Sequence, residues 1–348
     1  MRTSRKKVLR NCKRAISEVI HAFRNSDCGE DVEVSARLKR ARVRNRYLGR
    51  RFDRSIFVQR LRDYACIALA FLAKLSLQRE CAILMYHSID SNDDFFTVAP
   101  EEFRRQIEYL KESYSIISLD EMADYTNNPR KSPRKSVAIT FDDGYQDCYL
   151  HAYPCLRKNN LPATVFVSTA YVGKEWPFEP YRSINRFRLR MLTWNEIEEM
   201  SKNNIDIGAH TATHLDLREA DLKTAKNEIL ESKMQIEKHV KKAVKHFSFP
   251  YGSCSQKTVD LVKSLGFENA MGSNPSSQEG RKPSNGFVLH RVQVDRSISP
   301  ILFKARLTKA SDWSGQLERI VKKMLEKLVV GLHSSHVEGE DEDVGIEH

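Results

Sequence analysis

The 348-residue sequence lacks a hydrophobic run long enough to cross a bilayer. The apolar stretch at residues 65–77 has 13 residues and includes Lys74, whereas a spanning helix needs about 20. Basic residues open the chain, but no continuous apolar segment of the kind found in a secretory signal follows them before Arg24. We therefore expect neither a signal peptide nor a transmembrane helix.

Paired cysteines are also missing. The seven cysteines are scattered along the chain, and none forms a Cys-x-x-Cys pair. An odd, dispersed set of this kind predicts neither a disulfide framework nor a thiolate zinc site. The pattern fits a reducing compartment, so we expect a cytoplasmic location.

Positive charge is concentrated at the start of the chain. Residues 1–63 contain 19 Lys and Arg against 7 Asp and Glu, whereas the rest of the sequence is nearly neutral. We treat residues 1–80 as a basic, partly helical N-terminal extension. Its arginine clusters suit a peripheral contact with anionic membrane lipid, and a solvated arm is the alternative. Nucleic acid is not expected as a partner.

From residue 81 onwards, short apolar strands alternate with amphipathic helices. This repetition predicts a parallel sheet, most simply a distorted (β/α) barrel of about seven strands with its site at the carboxyl ends of the strands. We assign residues 81–298 to this α/β domain. Residues 299–348 are predicted to form a C-terminal helix and an acidic tail.

The organising feature of the domain is an acid pair at a strand end. The apolar run at residues 137–141 leads directly into Asp142, Asp143 and Gly144. Gly144 allows a sharp turn. Neighbouring residues of a strand point to opposite faces, so the two acids can share a site only where the strand breaks into a loop. One acid can then bind a metal while the other handles a proton, unless both are solvated in an ordinary turn.

A histidine pair follows a second strand. His210 and His214 come just after the predicted strand at residues 205–208. Their spacing of four predicts that both imidazoles lie on one side of a helical turn, close enough to share a cation.

Two further strand ends carry candidate groups. In the turn at residues 249–252, the backbone N–H of Tyr251 is a candidate oxyanion donor, and an ordinary Pro-initiated turn is the alternative. His87 directly follows the predicted strand at residues 82–86. A lone histidine at such a position is more often a core or surface residue than a catalytic one.

Together these residues resemble the polysaccharide deacetylase family, the NodB-like domains of carbohydrate esterase family 4. Thr140–Gly144 is similar to the first motif of the family, His210–His214 to the second, and Phe249–Gly252 to the later part of the third. The arginine that often opens the third motif is replaced by the region of Phe247 and Ser248.

The last motif of the family, an apolar strand ending in Leu-x-His-Asp, is missing from the C-terminal part. Ile83–His87 resembles it instead at the start of the domain, as in the subgroup whose barrel begins with that strand. The resemblance thus implies a circularly shifted barrel.

The same resemblance implies a metal centre. Asp143, His210 and His214 would bind Zn²⁺ or another divalent ion, with positions left open for water and the acetyl oxygen.

It also implies the catalytic groups. Asp142 would act as the general base, the Tyr251 N–H would help to hold the oxyanion, and His87 would protonate the departing amine. His290 is the other candidate for this acid. Arg291 would orient Asp142 in place of the missing arginine, unless it forms a surface ion pair.

The implied activity is metal-dependent hydrolysis of N-acetyl groups on a glycan that contains N-acetylhexosamine, with release of acetate. Two alternatives remain open at this point. The barrel is inactive and serves as a carbohydrate- or membrane-binding module, or it hydrolyses an amide that is not part of a sugar.

Overall fold

The computed structural model describes residues 80–92, 95–127, 133, 135–175, 189–272 and 286–308. The N-terminal extension, the acidic tail and the predicted helix after residue 312 lie outside the described residues. The domain boundaries and the membrane contact therefore stay predictions. In the described part of the chain, no helix has the length and apolar character needed to cross a membrane.

Strands make up the barrel wall, and in the described residues they are β1 (Glu80–Tyr86), β2 (Ser88–Ile89), β3 (Thr97–Val98), β4 (Ser115–Ile116), β5 (Lys135–Phe141), β6 (Ala163–Val167), β7 (Ile205–Ala209), β8 (His246–Ser248), β9 (Asn269–Gly272), β10 (Val288–His290) and β11 (Val292–Gln293). Nine of these strands form one parallel sheet. Its order is β10-β9-β8-β7-β6-β5-β1-β11, and β4 pairs separately with β5. Strands β2 and β3 form a separate two-stranded sheet.

The sheet is nearly closed by its last segment. β10 pairs with β9, β11 pairs with β1, and Arg291 separates the two short strands. The sequence of residues 287–294 predicts one final strand, but the structure divides it into two pieces with different neighbours. Because β1 lies between β5 and β11, the chain enters the barrel through an internal strand. The arrangement confirms the predicted distorted (β/α) barrel, and the circular shift stays a prediction.

Helices cover the outside of the barrel. Strand β5 is buried at every position after Lys135, as expected for a parallel strand covered on both faces. The spacing of Thr193 and Glu196 predicts a capping box, and the structure has one at the start of the helix Trp194–Lys202. The helices are α1 (Pro100–Ser113), α2 (Leu119–Asn127), α3 (Tyr153–Lys158), α4 (Trp194–Lys202), α5 (Leu222–Val240), α6 (Gln256–Ser264) and α7 (Pro300–Arg306).

Apolar side chains inside the barrel form a small interior cluster beneath the carboxyl ends of the strands. Ile83 and Ala138 pack in a cluster with Phe166, separate from the larger core formed by residues at alternate positions of the same strands. A Cβ atom on Gly208 would lie 2.4 Å from the Phe166 ring, so only glycine fits here without displacing the ring. The Arg291 guanidinium lies 5.6 Å from the centre of the same ring. The interior cluster therefore packs against a residue of the candidate site.

Candidate metal centre and catalytic site

The carboxyl ends of the strands bring the predicted site residues to one edge of the barrel. Each candidate lies just after a strand or between two strands, so its position follows from the parallel topology. The candidates are His87 after β1, Asp142 and Asp143 after β5, His210 and His214 after β7, Tyr251 after β8, and Arg291 between β10 and β11.

Asp143, His210 and His214 converge on one point. The Nε2 atoms of both histidines lie 3.3 Å from Oδ1 of Asp143. One ligand atom from each residue lies within 4.8 Å of the other two. All three side chains are 2% exposed. Two imidazoles and a carboxylate at this separation form a ligand set suited to a divalent ion.

The hydrogen bonds of these side chains test whether a metal fits. His210 Nδ1 lies 2.7 Å from the carbonyl oxygen of Ser248. Because a carbonyl only accepts, Nδ1 carries the proton and Nε2 presents its lone pair. Asp143 Oδ2 is buried and has no hydrogen-bond partner among the described residues. The lone pair on His210 Nε2 and the Asp143 Oδ2 atom without a hydrogen-bond donor are both consistent with a bound cation.

The histidine segment is not the helical turn that its spacing predicts. Residues 210–214 have no helical structure, and Thr211 and His214 have positive φ angles of 60° and 58°. Asp143 and Tyr251 share this conformation, with φ angles of 71° and 58°. Non-glycine residues adopt it at a cost of about 1–3 kcal/mol each. The imidazoles converge because the backbone is held in an unfavourable conformation, not because of helical periodicity.

Asp142 lies beside the triad and is held by Arg291. The guanidinium donates two hydrogen bonds, 2.6 Å from Nη1 to Oδ1 and 2.5 Å from Nη2 to Oδ2. Burial by itself raises the pKa of Asp142, but the Arg291 guanidinium and the His210 imidazole outweigh it and hold the pKa below its ordinary value. The carboxylate is therefore ionised at neutral pH and able to accept a proton.

His87 lies close enough to interact electrostatically with Asp142 and Asp143. Burial lowers the pKa of His87, while the two carboxylates act in the opposite direction. Its ring packs 5.0 Å from that of Phe96, and its buried Nδ1 has no hydrogen-bond partner among the described residues.

The backbone after His87 is anchored by Asp147. This carboxylate accepts hydrogen bonds from the Ser88 hydroxyl at 2.6 Å and from the Ile89 N–H at 3.0 Å. Burial raises the pKa of Asp147 to about 6. Asp147 therefore ties β2, which directly follows His87, to the helical segment that follows β5.

Tyr251 borders a pocket next to His214. Its ring lies 4.7 Å from the His214 ring and is 54% exposed. The pocket has a volume of about 560 Å³, and Tyr171 and Asp216 contribute to its walls. It offers space for a substrate group beside the candidate metal ligands. The oxyanion role of the Tyr251 N–H stays a prediction.

Sequence reasoning missed three residues that support these groups. Ser248 contacts Asp142 and His210, Thr140 accepts a hydrogen bond from Arg291 at 3.2 Å, and Asp147 anchors the segment after His87. Thr140 and Asp147 both lie in or beside the acid-pair motif. The strand period of two places Thr140 on the same face as Asp142, which is a signal that could have identified it.

Comparisons with known proteins agree with this geometry. Residues 129–270 match the family model described as polysaccharide deacetylase. The chain is 28% identical to YxkH of Bacillus subtilis over 224 residues, which cover 64% of this chain and 74% of that protein. It is 27% identical to the poly-β-1,6-N-acetyl-D-glucosamine N-deacetylase of Staphylococcus aureus over 219 residues, 60% of this chain and 71% of that protein.

A solved structure shows the same fold. The deacetylase PplD of Streptococcus pyogenes, solved in complex with acetate, aligns with a TM-score of 0.52 and 26% identity. The alignment covers 63% of this chain and 94% of that one.

The fold and the clustered side chains thus define a distorted (β/α) barrel with a candidate metal centre at the strand ends. Residues 129–270 of the chain are similar to the polysaccharide deacetylase family, as are the relatives that the chain matches. This similarity indicates a hydrolase that acts on non-peptide carbon–nitrogen bonds.

Proposed function

We propose that the protein is a metal-dependent deacetylase that removes N-acetyl groups from glycans containing N-acetylhexosamine and releases acetate. The observation that carries the proposal is the convergence of Asp143, His210 and His214 within 4.8 Å. Asp142 lies directly beside this set and is held in place by Arg291.

Asp143, His210 and His214 would hold the metal. Two imidazole nitrogens and one carboxylate oxygen are typical of catalytic Zn²⁺ sites, although other divalent ions accept the same ligands. A divalent ion bound there would supply Lewis acidity, which would acidify water and polarise the acetyl carbonyl.

Asp142 is the proposed general base. Water attacks the carbonyl carbon of the acetyl group, a carbon–oxygen bond forms, and Asp142 takes the proton of the water. Arg291 keeps this carboxylate oriented through its two hydrogen bonds. The backbone N–H of Tyr251 is the proposed donor to the oxygen that gains negative charge.

His87 is the proposed general acid. When the carbon–nitrogen bond breaks, the departing amine needs a proton, and His87 supplies it. Because burial favours the neutral imidazole, the nearby carboxylates are needed to keep a protonated fraction. The products are acetate and a free amino sugar.

The substrate class is supported by the relatives. The Staphylococcus aureus relative carries the name of a poly-β-1,6-N-acetyl-D-glucosamine N-deacetylase, and the Streptococcus pyogenes relative was solved with acetate. The pocket beside His214, at about 560 Å³, lies within the size range of small-molecule sites.

The test is acetate release from β-1,6-linked N-acetylglucosamine oligomers by the purified protein, with and without a chelator. We expect release that the chelator abolishes and that added Zn²⁺ or another divalent ion restores. A parallel assay uses a simple N-alkyl acetamide. Hydrolysis of this amide but not of the oligomers would contradict the glycan assignment, and hydrolysis of neither would indicate an inactive barrel.

We propose separately that residues 1–77 contact anionic lipid through their arginine clusters. Deletion of this segment should leave hydrolysis of a soluble substrate intact and abolish salt-sensitive binding to vesicles rich in phosphatidylserine. Unchanged vesicle binding after the deletion would refute the membrane contact.

A further inference from the structure

Ser248 ends strand β8 and is completely buried beneath Asp142. Its hydroxyl donates a hydrogen bond to Asp142 Oδ2 at 3.2 Å and accepts one from Arg291 Nη2 at 3.0 Å. Its carbonyl oxygen accepts from His210 Nδ1 at 2.7 Å. One residue therefore contacts both the proposed base and a proposed metal ligand.

The two oxygens of Asp142 are not equivalent. Each carboxylate oxygen has two lone pairs that can accept hydrogen bonds. Oδ2 accepts from Arg291 and from Ser248, so both of its positions are filled. Within the described residues, Oδ1 accepts one hydrogen bond, from Arg291. The free accepting position of the proposed base is therefore on Oδ1.

We propose that Ser248 is a positioning residue that directs proton transfer to Oδ1 of Asp142. Its hydroxyl closes the Oδ2 side of the carboxylate against water and holds the plane of the carboxylate against Arg291. Its carbonyl independently fixes the tautomer of His210. The inference rests on the proposed function and assigns to Ser248 a part in the same reaction.

The Ser248 hydroxyl contacts Asp142 and the Ser248 carbonyl contacts His210, so a side-chain substitution tests the first contact without removing the second. Ser248→Ala removes the hydroxyl but leaves the carbonyl that orients His210. We expect kcat to fall about 10- to 100-fold, as for a modest misplacement of a reacting group, while KM and the metal content per chain stay unchanged. Ser248→Thr keeps a hydroxyl and should recover most of kcat.

Two further variants serve as controls. Ser248→Cys keeps the size of the side chain but donates a much weaker hydrogen bond, so it should fold and lose kcat as Ser248→Ala does. Ser232→Ala removes an equally buried hydroxyl from helix α5 and should leave kcat unchanged. Wild-type kcat in Ser248→Ala or Ser248→Cys would overturn the proposal, as would parallel loss of metal and activity.

A second readout does not depend on turnover. In crystal structures of the metal-loaded protein, the wild type should show water hydrogen-bonded to Asp142 Oδ1 and none at Oδ2. Ser248→Ala should show water at Oδ2 or a rotated carboxylate. An unchanged Asp142 environment would overturn the inference, and this result is separate from a failure of the wild type to release acetate, which would refute the proposed function.

Discussion

Two clusters of histidine, carboxylate and cationic side chains lie at opposite ends of the barrel. Both contain histidine and two aspartates near a basic residue, so their composition is nearly the same. The carboxyl-end cluster consists of Asp142, Asp143, His210, His214 and Arg291, and the amino-end cluster of Asp120, Asp206, Lys245 and His246.

The two clusters differ in how their charges are paired. At the amino end, His246 Nε2 lies 2.9 Å from Oδ1 of Asp120, and Lys245 lies 2.8 Å from the other oxygen of that carboxylate. Asp120 and Asp206 are each 46% exposed. The acids of the amino-end cluster are therefore paired with basic side chains and open to solvent.

At the carboxyl end, two imidazoles face a single oxygen of a carboxylate that is 2% exposed. Within the described residues, only this cluster brings three potential ligand atoms within 4.8 Å of one another. Convergence and burial, rather than residue type, therefore distinguish a candidate metal centre from a structural ion pair.

The largest expected effect is the loss of activity when either acid of the carboxyl-end cluster is replaced. Replacing an acid of the amino-end cluster should cause no such loss. Asp143→Asn should lose bound metal and activity together, because it removes a proposed ligand. Asp142→Asn should keep the metal and lose about 10²- to 10⁴-fold in turnover. Metal content per chain and acetate release measure both variants.

The matched control is Asp206→Asn in the amino-end cluster, which should change neither quantity. Equal metal loss in Asp142→Asn and Asp143→Asn would show that the two roles are wrongly assigned.

A second effect concerns the general acid. His87→Ala should lower kcat by about 10²- to 10⁴-fold without loss of metal, because an amine leaves poorly unless it is protonated. His290→Ala should change kcat little. Steady-state kinetics with metal analysis of each variant decide between them, and the reverse outcome would transfer the acid role to His290.

The smallest effect tests the structural role of the amino-end cluster. The His246 imidazole and the Lys245 ammonium beside the carboxylate overcome the opposing effect of burial and hold the pKa of Asp120 below its ordinary value of 3.8. A depressed pKa in the folded state gives stability that is present above pH 3.8 and is lost as the pH falls further. Since Asp120 is 46% exposed, solvent screening limits the contribution to about 1 kcal/mol.

Asp120→Asn should therefore lower the free energy of unfolding by about 1 kcal/mol at pH 7 with unchanged acetate release. The difference from the wild type should shrink below pH 4. Urea denaturation at several pH values measures it, with the exposed Asp124→Asn on the same helix as control. A variant that loses activity while remaining folded would contradict a purely structural role for this end of the barrel.

Sequence reasoning identified the features that depend on local pattern. The strand ending in Asp142 and Asp143 follows from its apolar run, and the start of α4 follows from the capping box at Thr193 and Glu196. The barrel itself follows from the alternation of strands and helices.

The features that were missed depend on contacts distant in sequence. The backbone of Thr211 and His214 has positive φ angles, which the spacing of the histidines cannot reveal. Ser248 lies 106 residues from Asp142 in the chain. Arg291 was predicted only from the resemblance, as the replacement for a missing arginine. No local sequence pattern indicates that Arg291 separates β10 from β11.

The central claim is that the carboxyl-end cluster holds a divalent metal on which acetate release depends. The most direct measurement is the metal content per chain, by mass spectrometry of the purified protein, together with acetate release from β-1,6-linked N-acetylglucosamine oligomers. The wild type and Asp206→Asn should each hold one metal ion and release acetate, whereas His210→Ala/His214→Ala should do neither. Full acetate release by a metal-free His210→Ala/His214→Ala protein would contradict the claim.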